Sequence, residues 1–188
     1  MTDRECKLVI GALLHDIGKV IYRPDTDKRG HSQSGYDFLK EEAGVKDGEV
    51  LDCVRCHHVD ARWEAGQEDD SLSYVVSIAN RIASMDRRHA DPGDTAFAVS
   101  MPLRSVFNRL NRNQQEFYYE PGTLDPEGDI RYPVAEKKAF DKDFYDRMRL
   151  SLLDGLRGME WTREYVNALL EVLEAELSFV PSIAAEDE

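Results

Sequence analysis

The stretch that decides the fold is LVIGALLHDIGK, residues 8–19, in which an apolar run leads directly into a histidine and an aspartate. Such a run predicts a buried helix. Gly18 can adopt the left-handed conformation that ends a helix, which would leave His15 and Asp16 at the edge of the core. Because a buried ionisable pair is costly unless something binds it, the stretch indicates a divalent metal site.

Three further histidines, His31, His57 and His58, stand at the ends of predicted helices. His31 follows a polar, turn-rich loop, and the helix after it could be capped by Ser32. His57 and His58 close a helix that begins near Asp47 and whose apolar stripe leads toward them. One histidine on an apolar face is usually a satisfied core residue, but several beside one core favour a shared binding role.

Apolar residues repeat at helical spacing in three later segments, residues 71–88, 141–155 and 162–179. These segments and the helices before them predict a mostly α fold. The pattern becomes less helical after about residue 90, where an Asp-Pro-Gly-Asp turn occurs. We therefore expect a helical domain over residues 1–90 and a linker region, ending in the two C-terminal helices, over residues 91–188.

A small β element is predicted inside the linker region. Residues 115–120 contain Phe117, Tyr118 and Tyr119, which favour a strand. Turn-forming prolines and glycines follow and connect this segment to residues 130–133. The sequence therefore predicts a small β-hairpin between the helical domain and the C-terminal helices.

The composition limits which partners the chain can attract by charge alone. The formal net charge is −13, so the protein as a whole does not attract nucleic acid, and a metal or a partner must supply local positive charge. No apolar run approaches the ~20 residues that cross a bilayer, which argues against a membrane partner. The charged N-terminus lacks the pattern of a signal peptide, so we expect a cytoplasmic protein.

The cysteines offer a second, weaker metal pattern. Cys53, Cys56 and His57 match the c-type haem attachment pattern, and the two cysteines also match half of a zinc or redox site. Haem attachment requires export, and only Cys6 remains to complete a zinc site. We therefore favour small buried thiols on a helix.

His15, Asp16, His31, His57 and His58 offer nitrogen and oxygen ligands, which suit manganese, iron, nickel, cobalt or zinc. A carboxylate can bridge two such ions roughly 3.5–4 Å apart, with one ion activating water and the other stabilising the leaving oxygen. This donor set therefore predicts metal-assisted phosphoester hydrolysis.

Two further polar residues lie near this set in the sequence. Lys19 follows the His-Asp pair and could contact a phosphate, although a surface lysine beside a helix C-terminus is an equal alternative. Asn80 lies at the edge of the apolar stripe of the 71–88 helix, where a polar side chain would face a site in the core.

The order His15-Asp16, His31, His57-His58 resembles the HD superfamily of metal-dependent phosphohydrolases. In more detail, the chain resembles the N-terminal part of the large signature subunit of type III-A CRISPR–Cas (Csm) effector complexes. The segments that carry this resemblance are residues 11–19, 31–39, 56–58, 78–84, 102–107, 118–119 and 180–182. They span nearly the whole chain, and we expect it to be a fragment that stops before the first palm domain.

The resemblance implies an HD-domain helical fold that cuts single-stranded DNA with manganese, nickel or cobalt, bound as one or two ions. It also implies assembly, through the full-length subunit, with the other subunits and crRNA. His15 and Asp16 would be metal ligands, with Asp16 bridging if two ions bind. His57 and His58 would complete the ligand set or contact the scissile phosphate, and His31 would be a ligand or a proton donor to the leaving oxygen.

The chain departs from this family at Ala79-Asn80, where members usually carry Ala-Asp. Asparagine lacks the negative charge of aspartate, although its carbonyl oxygen can still coordinate a metal, so nuclease activity could be reduced. No Gly-Gly-Asp-Asp motif is present, so cyclic oligoadenylate synthesis is not expected of this chain. Two alternatives stay open: an HD phosphohydrolase acting on nucleotides or cyclic dinucleotides, and a degenerate HD module that docks neighbouring subunits.

Overall fold

The structure is a computed structural model that describes residues 1–21, 29–58, 70–84, 102–110, 115–125, 127–140 and 142–180. Its regular elements are helical, which confirms the predicted mostly α fold. They are α1 (Asp3–Leu14), α2 (Gly18–Ile21), α3 (His31–Asp37) with a π-helical continuation (Phe38–Glu42), α4 (Gly48–Arg55), α5 (Leu72–Ser84), α6 (Phe107–Leu110), α7 (Lys142–Gly155) and α8 (Arg163–Leu177). No helix among these is long and apolar enough to cross a membrane.

The first helix, α1, begins at a capping box. The Thr2 hydroxyl accepts a hydrogen bond from the Glu5 backbone N–H, and the Glu5 carboxylate accepts one from the Thr2 backbone N–H. These bonds satisfy donors that a helix start otherwise leaves open. The inner face of α1 carries Cys6, Ile10, Gly11 and Leu14, all buried.

Helix α4 packs against α1 and α3 through two glycines. A Cβ atom on Gly11 would lie 2.7 Å from Cys53, and one on Gly35 would lie 3.1 Å from the Val54 side chain. The absence of side chains at these two positions lets the helices approach closely. Helix α4 is therefore the centre of this part of the core.

Helix α5 buries only its first turns. Leu72 and Val76 pack with Cys53, whereas Val75 and Ile82 are exposed. The predicted stripe is thus correct for Leu72 and Val76 and wrong for Val75 and Ile82, because the core formed with α4 covers only one side of the first turns. The last part of the predicted helix, residues 85–88, lies outside the described part of the chain.

The chain forms two compact units, one of residues 1–86 and 152–170 and the other of residues 87–151 and 171–188. In the second unit, Tyr118 forms isolated antiparallel bridges with Arg104 and Val134. The predicted hairpin is not formed as regular strands within the described residues. The division into domains at residues 90 and 91 stays a prediction.

Candidate metal centre

Three imidazoles meet where α3 begins and α4 ends. Ring nitrogens of His31, His57 and His58 all lie within 4.8 Å of one another. Nε2 of His31 is 3.3 Å from Nε2 of His57 and 3.1 Å from Nε2 of His58. His31 and His57 are buried, and His58 is exposed. The site therefore has a buried side and one side open to solvent.

The carboxylate of Asp16 reaches this cluster from the end of α1. Its Oδ1 lies 3.6 Å from Nε2 of His31 and 3.5 Å from Nε2 of His57. Its Oδ2 lies 3.3 Å from Nε2 of His15 and 3.0 Å from Nζ of Lys19. One carboxylate thus contacts two imidazoles, the neighbouring histidine and a lysine.

Backbone carbonyls fix the orientation of two imidazoles. Nδ1 of His15 lies 2.7 Å from the Ala12 carbonyl oxygen, and Nδ1 of His57 lies 2.7 Å from that of Val54. Because a carbonyl can only accept, each Nδ1 must donate a proton. In the neutral ring the lone pair is then on Nε2, the atom that faces Asp16.

Gly18 brings α2 onto the start of α3. A Cβ atom at Gly18 would lie 1.8 Å from the His31 carbonyl oxygen, so only glycine fits. The predicted left-handed conformation at Gly18 is wrong, because α1 already ends at Leu14 and Gly18 opens α2. Among the described residues, positive φ occurs instead at glycines such as Gly30 (φ 81°).

The start of α3 also differs from the prediction. The helix begins at His31, and Gly30 rather than Ser32 stands at its N-cap position. The side chain of Ser34 donates to the Gly30 carbonyl oxygen at 3.0 Å. His31 is therefore the first helical residue, held against the neighbouring α2.

The protonation states of Asp16 and His57 suit metal binding, whereas His15 would have to lose its proton to become a ligand. Burial raises the pKa of Asp16. The contact with His15 and the positive charge of His15 outweigh burial, so the pKa of Asp16 stays well below its usual range. Burial, followed by repulsion from His58, lowers the pKa of His57 to about 3. Burial also opposes the charge of His15, but the attraction of Asp16 raises its pKa. A carboxylate and a neutral His57 imidazole therefore coexist, and both are metal-ligating forms.

Two polar atoms of the cluster test whether a cation fits. Nε2 of His15 and Oδ1 of Asp16 are buried and have no hydrogen-bond partner among the described residues. Oδ1 of Asp16 instead faces the lone pair of His57 Nε2 at 3.5 Å, a contact between two acceptors. Such groups are costly to bury unless a cation lies between them, so this donor set fits a divalent metal.

The structure brings together nearly all the residues predicted for the site. Asp16 contacts His15, Lys19 and His31, and His31 lies in the cluster with His57 and His58. Asn80 is half-buried on α5, where its backbone carbonyl accepts a hydrogen bond from Ser84. Its side chain is not among the described contacts of the cluster, so its role as a ligand stays a prediction.

The cysteines lie behind the site rather than in it. Cys53 and Cys56 are buried free thiols. Burial raises the pKa of Cys53 to about 12 and also raises the pKa of Cys56. A thiol that keeps its proton is a poor ligand, so both residues act as small core side chains.

The backbone carbonyls of Ala12 and Val54, which orient His15 and His57, are the parts of the site that the sequence does not predict, since no side-chain pattern marks them.

These features define the class of protein: residues 2–85 match the HD domain family and form an HD domain. Over nearly its whole length the chain is a homologue of Cas10/Csm1 of subtype III-A. A Mycobacterium tuberculosis relative, described as a CRISPR system single-strand-specific deoxyribonuclease Cas10/Csm1, is 32% identical, with 97% of this chain and 26% of that protein covered. The Enterococcus italicus protein of the same description is 30% identical, with 96% and 25% covered.

Solved structures of the same subunit share the fold. The Csm1–Csm4 cassette in complex with cA3 matches with a TM-score of 0.66 and 22% identity, over 99% of this chain and 25% of that chain. The Csm1–Csm4 subcomplex of the type III-A CRISPR-Csm interference complex matches with a TM-score of 0.63 and 22% identity, over 93% and 24%. The chain spans about a quarter of the length of the curated relatives it matches.

Proposed function

We propose that this chain is a metal-dependent nuclease domain that hydrolyses single-stranded DNA within a type III-A CRISPR interference complex. The observation that carries the proposal is the geometry at Asp16, whose buried Oδ1 faces two imidazoles without a hydrogen-bond partner among the described residues. Relatives described as single-strand-specific deoxyribonucleases support the substrate. Assembly with crRNA and other subunits, and a cytoplasmic location, belong to the same proposal.

The cluster residues would hold the metal, as manganese, nickel or cobalt, in one or two copies. His15, Asp16, His57 and His58 would be the ligands, with Asp16 as the shared ligand if two ions bind. When bound, the metal supplies an activated water and charge stabilisation for the scissile phosphate. His31 would be a further ligand or would donate a proton to the leaving oxygen.

Lys19 would place a positive charge beside the reacting phosphate. Its Nζ is 3.0 Å from Oδ2 of Asp16 and its side chain is partly exposed, so it can exchange this contact for a phosphate oxygen. A lysine in this position also holds Asp16 in its orientation. We assign Lys19 both roles.

Asn80 would act as a weak ligand or as a neighbour of one. Support comes from its place on α5, which packs against α1 and α4, and His15 and the His57-His58 pair follow the ends of these two helices. We expect Asn80→Asp to tighten Mn²⁺ binding, measured by calorimetric titration, and Asn80→Ala to weaken it. Equal Mn²⁺ affinity in all three proteins would remove Asn80 from the site.

Digestion of labelled single-stranded and duplex DNA tests the proposal. Purified protein is incubated with Mn²⁺, Ni²⁺, Co²⁺, Zn²⁺ or Mg²⁺, and the His15→Ala/Asp16→Ala variant is run beside it. We expect loss of the single strand with the first three metals and none with the variant. Asp3→Ala, an exposed change on the same helix, is the matched control and should cleave as the wild type does.

Other outcomes would change the assignment. Cleavage that persists in the double variant would show that the cluster is not the catalytic site. A folded protein that cleaves no DNA but hydrolyses nucleotides or cyclic dinucleotides would favour the small-molecule phosphohydrolase alternative. A folded protein that binds no metal would favour a docking module.

A further inference from the structure

Tyr36, Lys40 and Arg55 form a cationic surface cluster, the Tyr36 cluster, on the HD domain. Nζ of Lys40 donates to the Tyr36 hydroxyl at 3.0 Å and lies 5.1 Å from the centre of its ring. The Arg55 guanidinium lies 5.2 Å from the same ring centre. Lys40 and Arg55 are exposed, and Tyr36 is half-buried. One aromatic ring therefore holds two positive charges at the surface.

Neither cation is neutralised by an ion pair with a carboxylate among the described residues. Glu41, next to Lys40, contributes a favourable charge without an ion-pair contact, and Arg55 repels Lys40. Lys7, Lys19 and Arg104, by contrast, all have carboxylate partners. In a chain with a net charge of −13, two adjacent unpaired cations are a local exception that fits an anionic ligand.

The Tyr36 cluster lies on the same helix seam as the metal centre. Helices α3 and α4 are in close contact at Gly35 and Val54, and Tyr36 and Arg55 are the next residues of each. The same pair of segments brings Nε2 of His31 within 3.3 Å of Nε2 of His57. Four residues lie between His31 and Tyr36, so the two positions differ by about 7.5 Å along the helix axis and by roughly 140° around it. A single strand bound at the metal centre could therefore reach the cluster within a few nucleotides.

We propose that the Tyr36 cluster binds backbone phosphates of single-stranded DNA and guides the strand to the metal centre. This inference rests on the proposed function, because it names how that substrate is held. Lys40 and Arg55 contact the phosphates. Tyr36 is a positioning residue, since its ring and hydroxyl hold both cations in place before the strand arrives. Cations that follow the backbone phosphates are a common feature of single-strand binding sites.

Binding of a fluorescent oligothymidylate, measured by anisotropy in EDTA over a range of salt concentrations, tests the proposal without the metal. Two lost phosphate contacts should reduce the slope of log affinity against log salt by about 1.4. We therefore expect Lys40→Gln/Arg55→Gln to weaken binding roughly 10- to 30-fold at 0.1 M salt. Tyr36→Leu should weaken binding less, and Tyr36→Phe less again, because the cations remain.

A matched control separates the position of the charges from their number. Lys46→Gln/Arg163→Gln also removes two exposed cations that have no ion pair among the described residues, and it should leave the salt slope unchanged. The proposal is overturned if both double variants behave alike, if Lys40→Gln/Arg55→Gln keeps the wild-type slope, or if the wild type does not bind at 20 mM salt. Loss of subunit association with unchanged DNA binding would also overturn it, in favour of a protein-docking surface.

Hydrolysis of bis(p-nitrophenyl) phosphate with Mn²⁺ distinguishes this inference from the proposed function. The small ester needs the metal centre but does not extend to the Tyr36 cluster. Lys40→Gln/Arg55→Gln should hydrolyse it at the wild-type rate, and a fall in that rate would contradict a role limited to the strand. A wild-type protein that cleaves neither the ester nor DNA, yet shows the expected difference in DNA binding, would refute the nuclease activity and support the Tyr36 cluster.

Discussion

The two ends of α4 carry charged groups in opposite states. At the N-terminal end, Asp47 accepts a hydrogen bond from the Val50 backbone N–H at 3.2 Å and pairs with Lys7 at 2.6 Å. At the C-terminal end, Oδ1 of Asp16 and Nε2 of His15 are buried without hydrogen-bond partners among the described residues. Each end has one aspartate and one basic residue that lies in α1 or directly after it. Asp16 also pairs with Lys19, but only the C-terminal end keeps buried polar atoms without partners among the described residues.

This difference separates stabilisation from function. A carboxylate that caps a helix and pairs with a lysine favours the folded state with no ligand present. At the C-terminal end Lys19 and His15 stabilise the charge of Asp16, but its Oδ1 still faces the His57 lone pair, and a bound cation would satisfy both atoms. We therefore expect changes at the C-terminal end to affect metal binding and cleavage, and changes at the N-terminal end to affect stability.

The largest expected effect is that of Asp16→Asn. The variant keeps the shape of the side chain but loses the charge that faces His31 and His57, so cleavage of single-stranded DNA should fall at least about 100-fold. Changes to residues that only support a metal ligand already cost about 10- to 100-fold. Initial rates with saturating Mn²⁺ measure the effect. Wild-type rates in Asp16→Asn would mean that the C-terminal end is not the reaction site.

The second prediction concerns the free energy of unfolding, which metal binding should increase. At a hundred times its Kd, a ligand that binds only the folded state contributes about 2.7 kcal/mol. For a chain of this size that corresponds to a rise in Tm of about 5–10 °C. Thermal unfolding with Mn²⁺ and with EDTA measures it. Asp47→Ala should show the same rise and Asp16→Asn none; a rise in both variants would place the bound metal elsewhere.

The middle of α4 can be disturbed without touching either end. Gly11→Ala would place a methyl group 2.7 Å from Cys53 and push α1 and α4 apart, at an expected cost of about 1–3 kcal/mol in the free energy of unfolding. Urea denaturation measures this cost. Gly48→Ala is the matched control, because a Cβ atom there meets nothing within 4 Å. Equal stability of both variants would show that the close contact of the helices is unimportant.

Features with local signals were predictable from the sequence. The apolar run of residues 8–14 and the capping position of Asp47 indicate α1 and α4, and both helices form there. The grouping of the imidazoles near Asp16 followed from histidines at predicted helix ends. For the two helices the pattern depends on residues within a turn or two of one another, which is the range over which sequence acts directly.

Features decided by tertiary contacts were not predictable. Gly18 was assigned a left-handed conformation, yet the carbonyl of His31 decides its role. Helix α5 leaves Val75 and Ile82 exposed, although a periodicity rule counts both as core. The hairpin signal around Tyr118 gave isolated bridges, because pairing depends on a distant segment. The Tyr36 cluster joins two segments that no sequence spacing connects.

The smallest expected effect comes from Asp47→Ala at the satisfied end. Loss of the cap and of the pair with Lys7 should lower the free energy of unfolding by about 1 kcal/mol, measured by urea denaturation. Asp47→Asn keeps a capping oxygen and loses only the ion pair, so it should cost less than about 1 kcal/mol. Both variants should cleave DNA and bind Mn²⁺ as the wild type does. A fall in cleavage comparable to that of Asp16→Asn would show that the two ends of α4 are coupled, and that their opposite states do not divide stability from function.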